Sequence, residues 1–157
     1  MNQAADRMPA AAGLRSSAVV EGELHLALNN TIAAVEDGRQ ELLRFLAPLA
    51  LSDRVINRLE VVFEELVSNI VRHGFAPGSD QSIAVRVAAR PGVIQLTFED
   101  DGAPFDPLAA PPAARLTSLE TARLGGLGLP LVRKMAAELA YEPIASGNRL
   151  TVSITTT

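Results

Sequence analysis

Hydrophobic and polar positions alternate in four short runs along the chain and follow helical spacing in two longer ones. Leu24, Leu26 and Leu28 alternate with Glu23, His25 and Ala27, so a half-buried strand is expected within residues 19–28. Ile32, Val35, Leu42, Phe45 and Leu46 recur at helical intervals over residues 31–46, with Gly38 a weak point in the middle and Pro48 the stop. Ser52 is a good N-cap and Asp53 suits the positive end of a second helix. Val55, Leu59, Val62, Phe63, Leu66 and Ile70 mark its apolar stripe, and Gly74 is a natural terminator. Ile83, Val85 and Val87, then Ile94, Leu96 and Phe98, form two alternating runs about the turn signal Pro91-Gly92, which predicts a hairpin. Residues 103–124 are irregular and contain Pro104, Pro107, Pro111 and Pro112. Gly125 and Gly126 then open a helix expected to run to about Leu139, and Leu150, Val152 and Ile154 give a last strand.

Strand, helix, helix, hairpin, loop, helix, strand is the order of an α+β chain. The expected fold is a two-layer α/β sandwich with a mixed, mostly antiparallel sheet. Residues 1–18, rich in alanine and without a sustained period, are expected as a flexible N-terminal tail, and residues 19–157 as one domain.

Composition narrows the chemistry. The 157 residues carry 14 Lys and Arg against 18 Asp and Glu, a formal net charge of -4, which argues against direct nucleic-acid binding. With no cysteine and two histidines, thiolate metal sites, disulfides and His-rich zinc sites are excluded. No apolar run reaches membrane-span length and the first residues lack a secretory pattern, so a cytoplasmic protein without membrane contact is expected.

Three segments carry candidate chemistry. Glu65, Asn69 and His73 follow i, i+4, i+8 spacing on the second helix. Asn is a poor mid-helix residue, and its amide oxygen suits a hard cation such as Mg²⁺; Glu65, one turn earlier, could take a proton from an attacking hydroxyl. Taken alone, such spacing more often marks a solvated polar face. His73 reads as a helix-end residue, and His25 as an inert one on an exposed strand face.

The second segment is Glu99-Asp100-Asp101-Gly102. Asp100 follows Ile94, Leu96 and Phe98 in steps of two and so faces the apolar side, where a carboxylate must find a donor. The exocyclic amine of adenine is one, and Gly102 would let the backbone pass close to a base. An acidic turn closing a hairpin explains the residues equally well, and Asp101, on the opposite face, is only that.

The third segment is Gly125-Gly126-Leu127-Gly128. Glycines at a helix start expose N–H groups to an anion, although a hinge is the commoner meaning of Gly-x-Gly. Residues 103–124 would serve as a lid over nucleotide, and Arg115 and Arg123 could reach phosphate from it.

An Asn-bearing helix, Asp-x-Gly after a hairpin strand and Gly-x-Gly before a helix resemble the GHKL ATPase superfamily. Within it, Glu65-Leu66-Val67-Ser68-Asn69, Asp100 to Asp106 and Gly125 to Leu129 are similar to the anti-sigma-factor serine kinases of the RsbW and SpoIIAB kind. The resemblance implies a Bergerat-type fold binding ATP and Mg²⁺. It also implies phosphorylation of a STAS-type anti-anti-sigma protein and sequestration of a sigma factor. Carried over by position, it makes Glu65 the catalytic base and Asn69 the Mg²⁺ ligand. Asp100 and Gly102 become adenine contacts, and Gly126 and Gly128 the phosphate cradle. A homodimer is implied by the resemblance alone. Leu150 stands where many relatives place a threonine near the adenine. The alternatives are a nucleotide-responsive partner switch without transfer activity and a switch kinase acting on a scaffold protein.

Overall fold

The computed structural model describes residues 12–74, 81–102, 106, 108 and 128–157. Within these residues six strands build one sheet: β1 (Leu14–Val20), β2 (Glu23–Asn29), β3 (Ser82–Arg90), β4 (Val93–Asp100), β5 (Glu138–Ile144) and β6 (Gly147–Thr155). Among the described residues three α-helices pack on it: α1 (Ala33–Leu46), α2 (Asp53–Asn69) and α3 (Gly128–Met135). The order across the sheet is β1-β2-β3-β4-β6-β5. The α+β sandwich with a mostly antiparallel sheet is as expected, and among the described residues every strand pair is antiparallel.

Alternation assigns the faces. Leu24, Leu26, Leu28, Ile83, Val85, Val87, Ile94, Leu96 and Phe98 are all buried beneath the helices. From above come Leu42 and Leu46 of α1, Leu59, Val62, Phe63 and Leu66 of α2, and Val132 of α3. The layers meet at Phe63 and Phe98, whose ring centroids lie 6.2 Å apart at 49°; such a pair adds about 0.5–1.5 kcal/mol beyond area burial. Ser52 caps α2 as expected, its hydroxyl accepting the Val55 N–H at 3.3 Å. Gly38 proves to be more than a weak point. A Cβ there would lie 2.5 Å from the Phe63 ring, so the small residue is what lets α1 close on α2.

Three expectations are corrected. The strand within residues 19–28 does not run straight through, and the tail expected over residues 1–18 overlaps β1. Glu21 (φ 52°) and Gly22 (φ 81°) reverse the chain in the manner of a two-residue hairpin turn, pairing Leu14–Val20 with β2. Six of the seven β1 residues are exposed, so this edge strand shows no period to read. The last helix ends at Met135, not near Leu139, and Glu138–Ile144 forms the opposite edge strand. Pro143 lacks a backbone N–H to donate, which an edge tolerates. Among the described residues no helix is long and apolar enough to cross a membrane.

Candidate functional site

α2 supplies one half of the site. Glu65 and Asn69 are half-buried, one turn apart, on the last turns of the helix. Beyond Asn69 the backbone widens into a π-helical turn, Ile70–Gly74, a feature common at functional positions. α3 packs against this end of α2 from Gly128, its first residue. Gly128 is buried, and a Cβ on it would stand 2.3 Å from Glu65 Oε2 and 3.6 Å from Asn69 Nδ2. A carboxylate, an amide and a glycine-led helix start are thereby brought together. Among the described residues none donates a hydrogen bond to the Glu65 carboxylate.

The neighbouring carboxylate on α2 belongs to a different arrangement. Arg39 of α1 reaches across to Glu60 at 2.7 Å and Glu64 at 3.7 Å while pairing with Glu36 on its own helix at 2.7 Å. Burial, opposed by Arg39, raises the pKa of Glu64. The hydrogen bonds of Arg39 and Gln40 to Glu36 lower that carboxyl to about 2. This network ties α1 to the helix that carries Glu65.

β4 and β6 supply the second half. Asp100 pairs in register with buried Ile83 on one side and Asn148 on the other, so it lies on the helix-covered face that its sequence parity predicts. It is half-buried, and it finds two donors. The Gly102 N–H donates to Asp100 Oδ1 at 2.9 Å, an Asx turn, and Asn148 Nδ2 donates to the same oxygen at 3.0 Å. Asn148 Nδ2 also lies 3.4 Å from the Gly102 carbonyl oxygen, and the Tyr141 hydroxyl donates to Asn148 Oδ1 at 2.5 Å. Asp101 is exposed. Glu99 faces the opposite side of the sheet, where it accepts from Arg149 at 2.8 Å.

Glu65, Asn69 and Gly128 therefore form one group, and Asp100 and Gly102 a second on the same side of the sheet. Gly126, Arg115, Arg123 and residues 109–124 of the expected lid lie outside the described residues, as does the side chain of His73. Sequence reasoning missed Asn148, Tyr141 and Gly147. Gly147 adopts φ 151°, and a Cβ there would fall 1.9 Å from the Asp100 carbonyl oxygen, so β6 meets the end of β4 only through a glycine. The signal for Asn148 was present: stepping back by two from Ile154, Val152 and Leu150 lands on it. Leu150 itself sits opposite Phe98 and Tyr141, one inward position further from the strand end.

The chain matches known proteins over this architecture. Residues 28–154 fit the family model described as the histidine kinase-like ATPase domain. The sequence is 35% identical over 119 residues to the serine/threonine-protein kinase BtrW of Bordetella bronchiseptica, covering 72% of this chain and 82% of that one. Among solved structures it resembles the RsbU and RsbW domains of Rv1364c from Mycobacterium tuberculosis. The TM-score is 0.62 at 23% identity, over 85% of this chain and 32% of that chain. A blue-light activated histidine kinase from Erythrobacter litoralis gives a TM-score of 0.51 at 20% identity, over 68% and 32%. The chain spans about a third of both solved chains, and at these identities the likeness is one of fold.

Proposed function

The chain belongs to the histidine kinase-like ATPase family and is similar to a serine/threonine-protein kinase; from that premise we propose that it is a partner-switching kinase of the RsbW kind with the following activity. The protein phosphorylates a serine of a STAS-type anti-anti-sigma protein at the expense of ATP, and it sequesters a sigma factor when that partner is not engaged. The observation that carries the reading is the Glu65 carboxylate set against the backbone of Gly128, one turn from the Asn69 amide.

In this reading each group has one task. Asp100 accepts from the adenine amine, with Gly102 beside the base. Gly128 and Gly126 bring the start of α3 to the phosphates, where backbone N–H groups and the helix dipole favour negative charge. The absence of a Cβ at Gly128 is what lets the start of α3 lie this close to Glu65 and Asn69. Asn69 would hold Mg²⁺ through its amide oxygen, a hard donor suited to a hard cation. The ion, when bound, neutralises charge on the phosphoryl oxygens. Glu65 takes the proton of the acceptor serine as its Oγ bonds to the γ-phosphorus. The bond to the β-phosphate oxygen breaks, and its electron pair leaves with ADP.

The test incubates the chain with ATP, Mg²⁺ and a STAS-type acceptor and follows phosphate onto serine. Transfer is expected from the native protein. Glu65→Gln should slow transfer by roughly 10²–10⁴-fold, the usual contribution of a general base, with ATP affinity retained. A native chain that binds ATP yet transfers none overturns the kinase assignment. Sigma factor recovered with the chain from lysate supports sequestration, and its consistent absence removes that half of the proposal.

A further inference from the structure

The hydrogen bonds around Asp100 point beyond Asp100 itself. Both of its described donors, the Gly102 N–H and Asn148 Nδ2, fall on Oδ1. Asn148 is 8% exposed, and the Tyr141 hydroxyl occupies its amide oxygen. An amide has one donor end and one acceptor end. With Tyr141 donating to Oδ1, the Asn148 NH₂ must turn toward Asp100. Tyr141 on β5, Asn148 on β6 and Asp100 on β4 thus form a relay across three adjacent strands. Every link has a defined donor and acceptor.

We propose that Asn148 is a positioning residue for nucleotide recognition. Oriented by Tyr141, it holds Asp100 Oδ1 so that Oδ2 is presented to the exocyclic amine of a 6-aminopurine, and it thereby sets discrimination against 6-oxopurines. The inference rests on the adenine role of Asp100 proposed above. The physical basis is that a site built to hydrogen-bond one substrate group rejects analogues lacking it, provided that its own partner is held in place. A 6-oxopurine offers Oδ2 an acceptor where it needs a donor, and a pinned carboxylate cannot rotate away to relieve the clash. With the Asn148 amide gone, the carboxylate can swing on χ2, so amine binding weakens more than oxo binding.

ATP and inosine triphosphate are the probes: they differ in the 6-amino against 6-oxo group and in the N1 proton that the oxo form carries with it. Calorimetry on the full chain should show Asn148→Ala lowering ATP affinity about tenfold, the scale of one charge-assisted hydrogen bond. Affinity for inosine triphosphate should stay within about twofold, so the ratio between the two collapses. Tyr141→Phe should give a smaller loss in the same direction, about threefold, because the amide is then free to flip. In kinase assays Asn148→Ala should raise KM for ATP with little change in kcat at saturation. Asn148→Ser, which restores a donor, should recover part of the ratio and guards against a fold defect in the alanine variant. Equal weakening of both nucleotides in both Asn148 variants overturns the proposal, and so does an unchanged ratio. If Asp100→Asn weakens ATP and Asn148→Ala does not, only this inference fails. If Asp100→Asn leaves ATP affinity intact, the adenine reading fails with it.

Discussion

The two halves of the site treat a carboxylate in opposite ways. At the end of α2, Glu65 receives no hydrogen bond from the described residues and faces the bare backbone of Gly128. At the end of β4, Asp100 is held on one oxygen by two donors, and one of those is fixed in turn by Tyr141. A group that must accept a proton gains from keeping its lone pairs open, whereas a group that must read a ligand gains from being fixed beforehand. The glycines of the two halves differ in parallel. Gly128 makes room for the flexible tip of a side chain, and Gly147 for backbone.

The comparison breaks most sharply at Glu65. Glu65→Gln should cost roughly 10²–10⁴-fold in phosphoryl transfer, while Asp100→Asn should leave single-turnover transfer at saturating ATP near wild type. Equal rate losses in the two variants would erase the distinction. Gly128→Ala comes next. Its methyl would displace the Glu65 carboxylate, and a misplacement of about 1 Å can cost about 10²-fold in rate. Because a flexible side chain can yield, the urea midpoint should stay close to wild type. Asp100→Asn should then weaken ATP binding by about 1–3 kcal/mol by calorimetry, the cost of leaving a polar group unmatched, without lowering the melting temperature appreciably. Gly147→Ala is the counterpart of Gly128→Ala. Strain at its backbone conformation alone costs about 1–3 kcal/mol, and the Asp100 carbonyl cannot yield, so chemical denaturation should show lost stability.

The smallest effect lies outside both halves. The folded-state pKa of Glu36 is depressed to about 2. Its contribution is present above the unfolded value near 4.5 and is lost as pH falls through about 2. The group is exposed, so solvent screens its pairing. Arg39→Ala should slightly flatten the fall of melting temperature over that interval, and an unchanged slope would show that the α1–α2 ion pairs contribute nothing measurable.

How much of this was legible in the chain differs element by element. Ser52, the α2 stripe and the Pro91-Gly92 hairpin follow from local chemistry, and the structure reproduces them. β1 and β5 escaped because they are edge strands. In β1 almost nothing is buried, so burial imposes no period on its sequence; in β5 the alternation is confined to half-buried Leu139 and Tyr141, too short a run to stand apart from the helix before it. The inward position of Asp100 was readable from parity alone, but the identity of its donor was not. Asn148 is 48 residues away, and only the β4–β6 register puts it opposite. Gly128 stood out in sequence as one glycine of a loop. Its contact with Glu65 spans 63 positions, and no local pattern encodes it.

By itself the sequence determined which residues face the core, where α2 begins, and which polar side chains stand at the ends of a helix and a strand. These follow from periodicity and capping, properties of neighbours in the chain. Tertiary structure alone decided which of those side chains meet. Strand register aligned Tyr141, Asn148 and Asp100, and helix packing brought Gly128 onto Glu65. Both are settled by the burial of a shared core, to which the site residues contribute little, so their meeting is a consequence of packing elsewhere.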